Sequence, residues 1–224
     1  MSKPVRVLIV DDSAVIRQLL TMLLSADPEI EVVGTAGDPF IARDRIKALN
    51  PDVVTLDVEM PNMDGVTFLR KIMSLRPMPV VMVSTLTQAG AETTLEALEI
   101  GAVDFIAKPV HDVANGLTEI AEELQTKVKT AAGARVGVRH VPGPARVRPA
   151  RRETPRNFPN RIIAIGASTG GVEALKSLLM DMPAECPPVL ITQHMPPRFT
   201  AAFADRLNRE CPMRVRSEER RVGK

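Results

Sequence analysis

Three aspartates follow two separate apolar runs near the start of the chain. Asp11 and Asp12 come directly after the run 5–10, and Asp57 comes directly after the run 53–56. If these runs are parallel strands of one sheet, their carboxyl ends meet at one edge and the three carboxylates lie together. Clustered carboxylates repel one another unless a cation lies among them, and hard oxygen ligands beside a phosphoryl group suit Mg²⁺. The sequence therefore predicts a magnesium and phosphoryl site.

Two further polar residues are predicted to reach the same edge. Lys108 follows the apolar run 103–106 and would supply a fixed positive charge. Ser84 follows the run 80–83 and would supply a hydroxyl. The alternative for Asp11 and Asp12 is that they only cap the next helix, as Asp commonly does. Capping does not explain five such residues at strand ends, so we favour the site.

A second candidate site contains Ser168. The segment GASTGG at 166–171 follows the apolar run 162–165, as in a strand-to-helix turn that exposes a nucleophilic serine and forms an oxyanion site. The alternatives are a glycine-rich turn that binds phosphate and a simple helix cap. His194 follows the next strand-like run, 189–192, and would place a general base at the same edge. A lone histidine after a strand is otherwise a surface residue.

Short apolar runs alternate with helix-length amphipathic stretches over residues 1–125. The strand candidates are 5–10, 31–36, 53–56, 80–83 and 103–106, and the helix candidates are 14–25, 39–49, 65–74, 90–100 and 112–130. Buried strands alternating with helices predict an α/β fold with a five-stranded, doubly wound parallel sheet. The ligand site of such a sheet lies at the carboxyl ends of its strands.

The pattern changes after this predicted domain. Residues 126–160 are predicted to be an Arg/Pro-rich linker, because prolines and arginines replace large apolar residues over much of it. A second β/α pattern covers 161–215, with strands at 162–165 and 189–192 and helices at 172–179 and 199–207. It predicts the N-terminal part of a second α/β doubly wound domain.

Composition excludes several classes of protein. Hydrophobic residues make up 45% of the 224, and no apolar run approaches the roughly 20 residues that span a bilayer. Neither a membrane insertion nor a secretory leader is predicted, so a cytoplasmic location is expected. The net charge is −9 over 1–125 and +9 over 126–161. Basicity confined to a linker is poor evidence for nucleic-acid binding, and a DNA-binding regulator is the weakest hypothesis.

Motifs in the first half resemble a response-regulator receiver domain. They are VDDS at 10–13, LDVEMP at 56–61, MDG at 63–65, VS at 83–84 and KP at 108–109. The resemblance implies that Asp57 is the phosphoacceptor, which takes a phosphoryl group from a phosphohistidine on a partner kinase. It also implies that Mg²⁺ is bound by Asp12, Asp57 and the backbone carbonyl of Glu59, with support from Asp11.

The same resemblance assigns roles to three more residues. Ser84 and Lys108 would contact phosphoryl oxygens, and the Lys108–Pro109 bond is a candidate cis peptide. Phe105 occupies the position of an aromatic switch, although a phenylalanine there also fits a core residue, and both readings stay open.

The second half resembles the chemotaxis protein-glutamate methylesterase and glutamine deamidase family. The resemblance rests on IGASTGG at 165–171 and QHMP at 193–196, placed behind a receiver domain and a linker. It implies that Ser168 attacks a glutamate methyl ester on a chemoreceptor cytoplasmic helix while His194 accepts the serine proton, with no cofactor for the esterase. The partners would be a chemotaxis histidine kinase and methylated chemoreceptors. In this family the unphosphorylated receiver blocks the hydrolase, so phosphorylation of Asp57 would activate it.

The sequence departs from this family in two places. The triad aspartate lies far beyond the histidine in the family, and no counterpart is assigned here, because Asp205 falls on a predicted amphipathic helix. Residues 216–224 are expected to be a non-native tail that resembles a translated sequencing adapter. The chain is therefore expected to be an incomplete copy with inefficient catalysis. The alternative is a phosphoryl-accepting signalling protein whose second half is non-catalytic.

Overall fold

The structure is a computed structural model that describes residues 3–85, 87–108, 116–137 and 161–217. It contains two compact units, unit 1 (Met1–Val138) and unit 2 (Arg139–Lys224). The Lys108–Pro109 bond, most of the predicted linker and residues 218–224 lie outside the described residues. Within the described residues, no helix is both long enough and apolar enough to cross a membrane.

The described part of unit 1 alternates five strands with five helices. The strands are β1 (Val5–Val10), β2 (Ile30–Ala36), β3 (Val53–Asp57), β4 (Val80–Ser84) and β5 (Asp104–Ala107). The helices are α1 (Ala14–Ser25), α2 (Pro39–Leu49), α3 (Gly65–Leu75), α4 (Gln88–Ile100) and α5 (Gly116–Ala132). The strands pair in parallel in the order β2-β1-β3-β4-β5. This confirms the predicted doubly wound sheet.

The sheet of unit 1 is covered by helices on both faces. One face packs against α1 and α5, through residues such as Val7, Val81 and Leu124, all of which are fully buried. The opposite face contacts α2 and α4. Strands buried on both faces need continuous apolar runs, which is the pattern of β1, β3 and β4. These helices therefore leave the carboxyl ends of the strands as the place for polar groups.

Most element boundaries differ from the sequence prediction by one to four residues, and three of these differences bear on the site or on the domain boundary. Strand β3 includes Asp57, which pairs with Val83, and β4 includes Ser84, which pairs with Ala107. Helix α5 continues to Ala132, past the predicted domain boundary at 125, because Val128 and Ala131 are buried in the core. The alternative of a cap for Asp11 and Asp12 also fails, since the side chain that caps α1 is Ser13.

Unit 2 contains β6 (Ile163–Ala167), α6 (Gly171–Asp181), β7 (Val189–Gln193) and α7 (Pro197–Glu210) among its described residues. The two strands are parallel. Buried residues of α6 and α7, including Leu175, Leu179 and Phe203, form a small core. Alternate strand residues are exposed, and Leu190 keeps 62% of its surface accessible. The region is a small parallel sheet with two helices, which is consistent with part of a second α/β domain.

Candidate functional site

Asp11, Asp12 and Asp57 form an acidic cluster at the carboxyl ends of β1 and β3. One carboxylate oxygen of each lies within 4.8 Å of the others. Asp11 and Asp57 are fully buried, whereas Asp12 is exposed. The predicted convergence of the three carboxylates at one sheet edge is therefore present in the structure.

Lys108 reaches the acidic cluster from the end of β5. Its Nζ donates to Asp57 Oδ2 at 2.7 Å and lies 3.3 Å from Asp11 Oδ2. Backbone N–H groups of the loops stabilise the other oxygens, since Ser13 N donates to Asp11 Oδ1 at 2.9 Å and Glu59 N donates to Asp57 Oδ1 at 3.1 Å. One ammonium group thus partly neutralises two buried carboxylates.

Burial changes the protonation of these groups. It raises the pKa of Asp57 to about 6, and the negative charge of Asp11 adds to this effect while Lys108 opposes it. Burial likewise raises the pKa of Asp11 against the attraction of Lys108. Burial acts to lower the pKa of Lys108, but its contacts with Asp57 and Asp11 outweigh this and the pKa is raised. The cluster therefore carries uncompensated negative charge that a further cation would relieve.

The acidic cluster fits a hard divalent cation. Among the described residues, none makes a hydrogen bond to the buried Oδ2 of Asp11, although the ammonium of Lys108 lies 3.3 Å away. An exposed carboxylate, Asp12, lies beside two buried ones, which leaves one side open to solvent. Oxygen ligands from one or two carboxylates are typical of a Mg²⁺ site that keeps several waters.

Gly65 lets the loop after Asp57 fold back closely. Its N–H donates to Val58 O at 2.9 Å, and a Cβ at this position would overlap the carbonyl oxygen of Asp57. Asp64 caps α3 by accepting a hydrogen bond from Thr67 N at 2.7 Å. The start of α3 is therefore fixed directly against the end of β3.

Ser84, predicted to contact the phosphoryl group, and Phe105, the predicted switch residue, are both buried. Ser84 ends β4, and the hydrogen bonds described for its hydroxyl involve α4 and the residue that follows Ser84. Phe105 is 2% exposed and lies in the sheet on β5. The structure thus describes a core position for Phe105, and its role as a switch stays a prediction.

Sequence reasoning missed a buried lysine beside Phe105. Lys127 of α5 is only 3% exposed, and its Nζ lies 5.1 Å from the centre of the Phe105 ring. The same Nζ donates to Phe105 O at 2.6 Å and lies 2.8 Å from a carboxylate oxygen of Glu123. A lysine in an amphipathic helix ordinarily indicates the solvated face, so the sequence carried no signal for this contact.

Ser168 and His194 follow the two paired strands of unit 2. Ala167 pairs with Gln193 in the sheet, and His194 N donates to Ala167 O at 2.9 Å. Both Ser168 and His194 are exposed, and α6 begins three residues after the serine. The structure therefore places both predicted residues at one edge, beside a helix N-terminus.

Gln193 connects the two loops, and sequence reasoning did not assign it a role. Its Nε2 lies 2.9 Å from Ser168 O and 3.1 Å from His194 O, and donates to both. A Cβ at Gly171 would overlap its carboxamide oxygen, so the paired glycines were the available signal of a close approach. Gln193 thus fixes the backbone of the serine relative to that of the histidine.

No carboxylate makes a described hydrogen bond to the imidazole of His194 within residues 161–217. Asp205 lies on α7 and is exposed, as predicted for an amphipathic helix. The geometry of this site therefore includes a serine and a histidine at one edge, without a described acid partner.

The fold and the acidic cluster agree with the sequence comparisons. Residues 7–122, just over half of the chain, match the response regulator receiver domain family. The chain belongs to the response-regulator family. Residues 163–222 match a second family, the CheB methylesterases. This second match extends into the segment 216–224, whose origin stays a prediction.

Curated relatives contain both regions. A relative from Xanthomonas oryzae pv. oryzae (strain MAFF 311018), named protein-glutamate methylesterase/protein-glutamine glutaminase 2, is 56% identical over 96% of this chain and 62% of its own length. One from Caulobacter vibrioides, named protein-glutamate methylesterase/protein-glutamine glutaminase 1, is 59% identical over 94% of this chain and 60% of its own length. The chain thus spans about three fifths of the length of these relatives.

Solved structures similar to this chain cover the receiver region. The response regulator domain of Thermotoga maritima CheB is 43% identical, with a TM-score of 0.54 over 59% of this chain and 99% of that domain. The signal receiver domain of the response regulator NarL from Mycobacterium tuberculosis is 31% identical, with a TM-score of 0.51 over 60% of this chain and all of that domain. Both support the receiver fold of unit 1.

Proposed function

We propose that unit 1 accepts a phosphoryl group on Asp57 and that this controls a carboxylic ester hydrolase in unit 2. The observation that carries the first part is the buried Asp57 carboxylate, 2.7 Å from the Lys108 ammonium and beside two other aspartates. The second part rests on Ser168 and His194 at one sheet edge, in a region that matches the CheB methylesterases.

The phosphoryl transfer is an in-line displacement at phosphorus. A carboxylate oxygen of Asp57 attacks the phosphohistidine of a partner kinase, the P–N bond breaks, and its electron pair returns to the imidazole. Lys108 supports this step because a fixed positive charge stabilises the charge on the transferring oxygens. Burial of Asp57 excludes competing solvent from one side of the carboxylate.

Mg²⁺ is the proposed cofactor of unit 1. Asp12, Asp57 and the backbone carbonyl of Glu59 would hold it, with Asp11 in support, and it would supply electrophilic stabilisation of the phosphoryl oxygens. Ser84 would contact the phosphoryl group after transfer. No cofactor is proposed for the hydrolase.

The proposed hydrolase substrate is a glutamate methyl ester on a chemoreceptor helix. The Ser168 oxygen attacks the ester carbonyl while His194 takes the serine proton. His194 then gives this proton to the leaving group, which departs as methanol. Water then attacks the acyl-serine, which releases the glutamate carboxylate and restores Ser168. The N-terminus of α6, which begins three residues after Ser168, would stabilise the oxyanion. The same steps with a glutamine amide release ammonia.

Transfer from a chemotaxis histidine kinase tests the first part. We expect the full chain to take up radiolabelled phosphoryl from the phosphorylated kinase and the Asp57→Asn variant to take up none. Asp44→Asn is the matched control, because Asp44 is an exposed aspartate paired only with its neighbour Arg43 among the described contacts. Equal labelling of Asp57→Asn and wild type would rule out Asp57 as the acceptor.

Methanol release from methylated chemoreceptor tests the second part. We expect phosphorylated chain to release more methanol than unphosphorylated chain, and Ser168→Ala to release none. Ser177→Ala, an exposed serine on α6, is the matched control. Release that does not exceed the Ser168→Ala background would contradict hydrolysis by this chain.

A second candidate function is a phosphoryl-accepting signalling protein that acts by binding partners, with a non-catalytic unit 2. The observation that favours it is the absence, within residues 161–217, of a described carboxylate bonded to His194. Labelling of Asp57 without methanol release is the result that would select this candidate.

A further inference from the structure

The hydroxyl of Ser84 is held by α4. Its Oγ lies 2.8 Å from Thr94 Oγ1, 3.3 Å from Thr85 O and 3.4 Å from Gly90 O. Ser84 is fully buried, so water does not compete for these contacts. Each of these three partners lies on α4 or directly after β4.

Thr94 provides the shortest of these contacts. It is fully buried in the second turn of α4, and its Oγ1 also lies 2.6 Å from Gly90 O. Each hydroxyl carries a single proton, so Thr94 and Ser84 can each donate to only one of the oxygens around them at a time. Thr94 therefore links the end of β4 to the backbone of α4.

The first turn of α4 is packed closely against the same segment. A Cβ at Gly90 would lie 2.7 Å from Thr85 O, and Gly90 N donates to the capping hydroxyl of Thr87 at 2.9 Å. The start of α4 is thus packed directly against Thr85, the residue after β4, and we call these residues together the block. A displacement of the Ser84 hydroxyl would remove one of the contacts that holds this block.

We propose that Thr94 is a positioning residue that holds Ser84 on α4 while Asp57 carries no phosphoryl group. The inference rests on the proposed acceptance of a phosphoryl group by Asp57. An anionic phosphoryl oxygen is a stronger acceptor than the carbonyl oxygens of Thr85 and Gly90, so it draws the single proton of the Ser84 hydroxyl away from them. As the hydroxyl turns toward the phosphoryl group, the Ser84 oxygen stops accepting from the Thr94 hydroxyl, and the loss of this Ser84–Thr94 latch transmits phosphorylation to the start of α4.

Binding of beryllium fluoride, a mimic of the phosphoryl group, tests the latch in the full chain with excess Mg²⁺. Thr94→Val keeps the side-chain shape and removes the hydroxyl, so binding requires no rupture of the latch and is expected to tighten about fivefold. Thr94→Ser keeps the hydroxyl and is expected to bind as wild type does. In a Ser84→Ala background, Thr94→Val is expected to give no gain.

Two results would overturn the latch. One is binding by Thr94→Val that is no tighter than that of wild type. The other is a gain that persists without Ser84, since the effect would then come from general loosening of α4.

Hydrogen exchange separates failure of the latch from failure of the proposed function. A wild-type chain that does not bind the mimic contradicts phosphoryl acceptance. The latch is then decided by amide exchange over residues 90–94 without the mimic. It predicts that Thr94→Val and Ser84→Ala raise exchange to the same extent and that the double variant adds nothing. Unchanged exchange in Thr94→Val would overturn it.

Discussion

The two candidate centres are held in different ways. In unit 1 the proposed phosphoacceptor Asp57 is fully buried, lies in a strand and is paired with a lysine whose charge it shares with Asp11. In unit 2 Ser168 and His194 are exposed. Their main chain is held by a hydrogen bond from His194 N to Ala167 O and by the Gln193 side chain, which donates to Ser168 O and His194 O. The candidate centre of unit 1 is thus organised by buried charged side chains, whereas that of unit 2 is organised by hydrogen bonds to the main chain.

This difference implies that the proposed reactivity of the two units has different physical origins. Burial in a sheet covered on both faces changes the protonation of Asp57, because a charged carboxylate is costly to remove from water. Ser168 and His194 are exposed beside an open sheet face, so their proposed reactivity depends on geometry. We expect electrostatic changes to affect unit 1 most and positional changes to affect unit 2 most.

The largest expected effect is that of Lys108→Met. Phosphoryl transfer to Asp57 should fall by about a hundredfold or more, because the variant removes the fixed positive charge at the reacting carboxylate. The measurement is the rate of labelling by the phosphorylated kinase. Lys129→Met is the matched control, since Lys129 also bridges two carboxylates, those of Asp27 and Glu29, but on the surface. An equal fall in the transfer rate in both variants would show that the buried Lys108 has no special role in transfer.

The second effect is a pH-dependent stabilisation by Asp57→Asn in the absence of divalent cations. The raised pKa of about 6 means that folding favours the protonated form, so stability is lost as the pH rises from about 4 through 6. Above pH 7, the free energy of unfolding of Asp57→Asn should exceed that of wild type by about 2 kcal/mol. At pH 3 this difference should disappear.

Native-state hydrogen exchange of peptides covering β3 measures this difference within unit 1. Peptides covering β7 are the internal control, because unit 2 does not contain Asp57. A variant that is equally stabilised at pH 3 and pH 8 would show that titration of Asp57 is not the cause.

The third effect belongs to unit 2. Gln193→Ala should lower the reactivity of Ser168 about tenfold, because small displacements of a nucleophile from its base are costly. The measurement is the rate of Ser168 labelling by a fluorophosphonate probe, with Ser168→Ala as the blank. Gln125→Ala is the matched control, since the Gln125 carboxamide donates to Leu23 O at 2.7 Å within unit 1. No difference between the two variants would contradict backbone positioning by Gln193.

The smallest effect is expected on the open face of unit 2. Leu190→Ser should change the free energy of unfolding by no more than about 0.5 kcal/mol, because the side chain is already 62% exposed. Urea denaturation followed by circular dichroism measures it. A loss well above 1 kcal/mol would show that this face is covered in solution, and the contrast between the two sheets would then fail.

The sequence predicted much of the fold because its local signals agree with the tertiary structure. The bounds of β1, α1 and α2 match the structure residue for residue, and clear caps precede both helices at Ser13 and Asp38. Convergence of the acidic cluster also followed from the parallel topology alone. Asp57 was placed outside β3 because a carboxylate interrupts an apolar run, although its backbone continues the ladder.

Contacts between distant polar residues could not be predicted in this way. Thr94 and Lys127 occupy helix positions that are compatible with solvent, and only the packing of α4 and α5 on the sheet buries them. Gln193 reads as an ordinary residue at a strand end until β6 and β7 are paired. In each case the partner lies on another element, and periodicity along one element does not report it.

Both candidate centres depend on a glycine at the first position of the helix that follows. At Gly65 an added Cβ would meet the carbonyl of Asp57, and at Gly171 it would meet the Cβ of Ala167 as well as the carboxamide of Gln193. Every missense change in a glycine codon adds at least that one carbon. Substitutions at these two positions are therefore expected to be disruptive, although neither residue carries a functional group. A mutational scan of this gene would find both positions intolerant without a catalytic role to explain it.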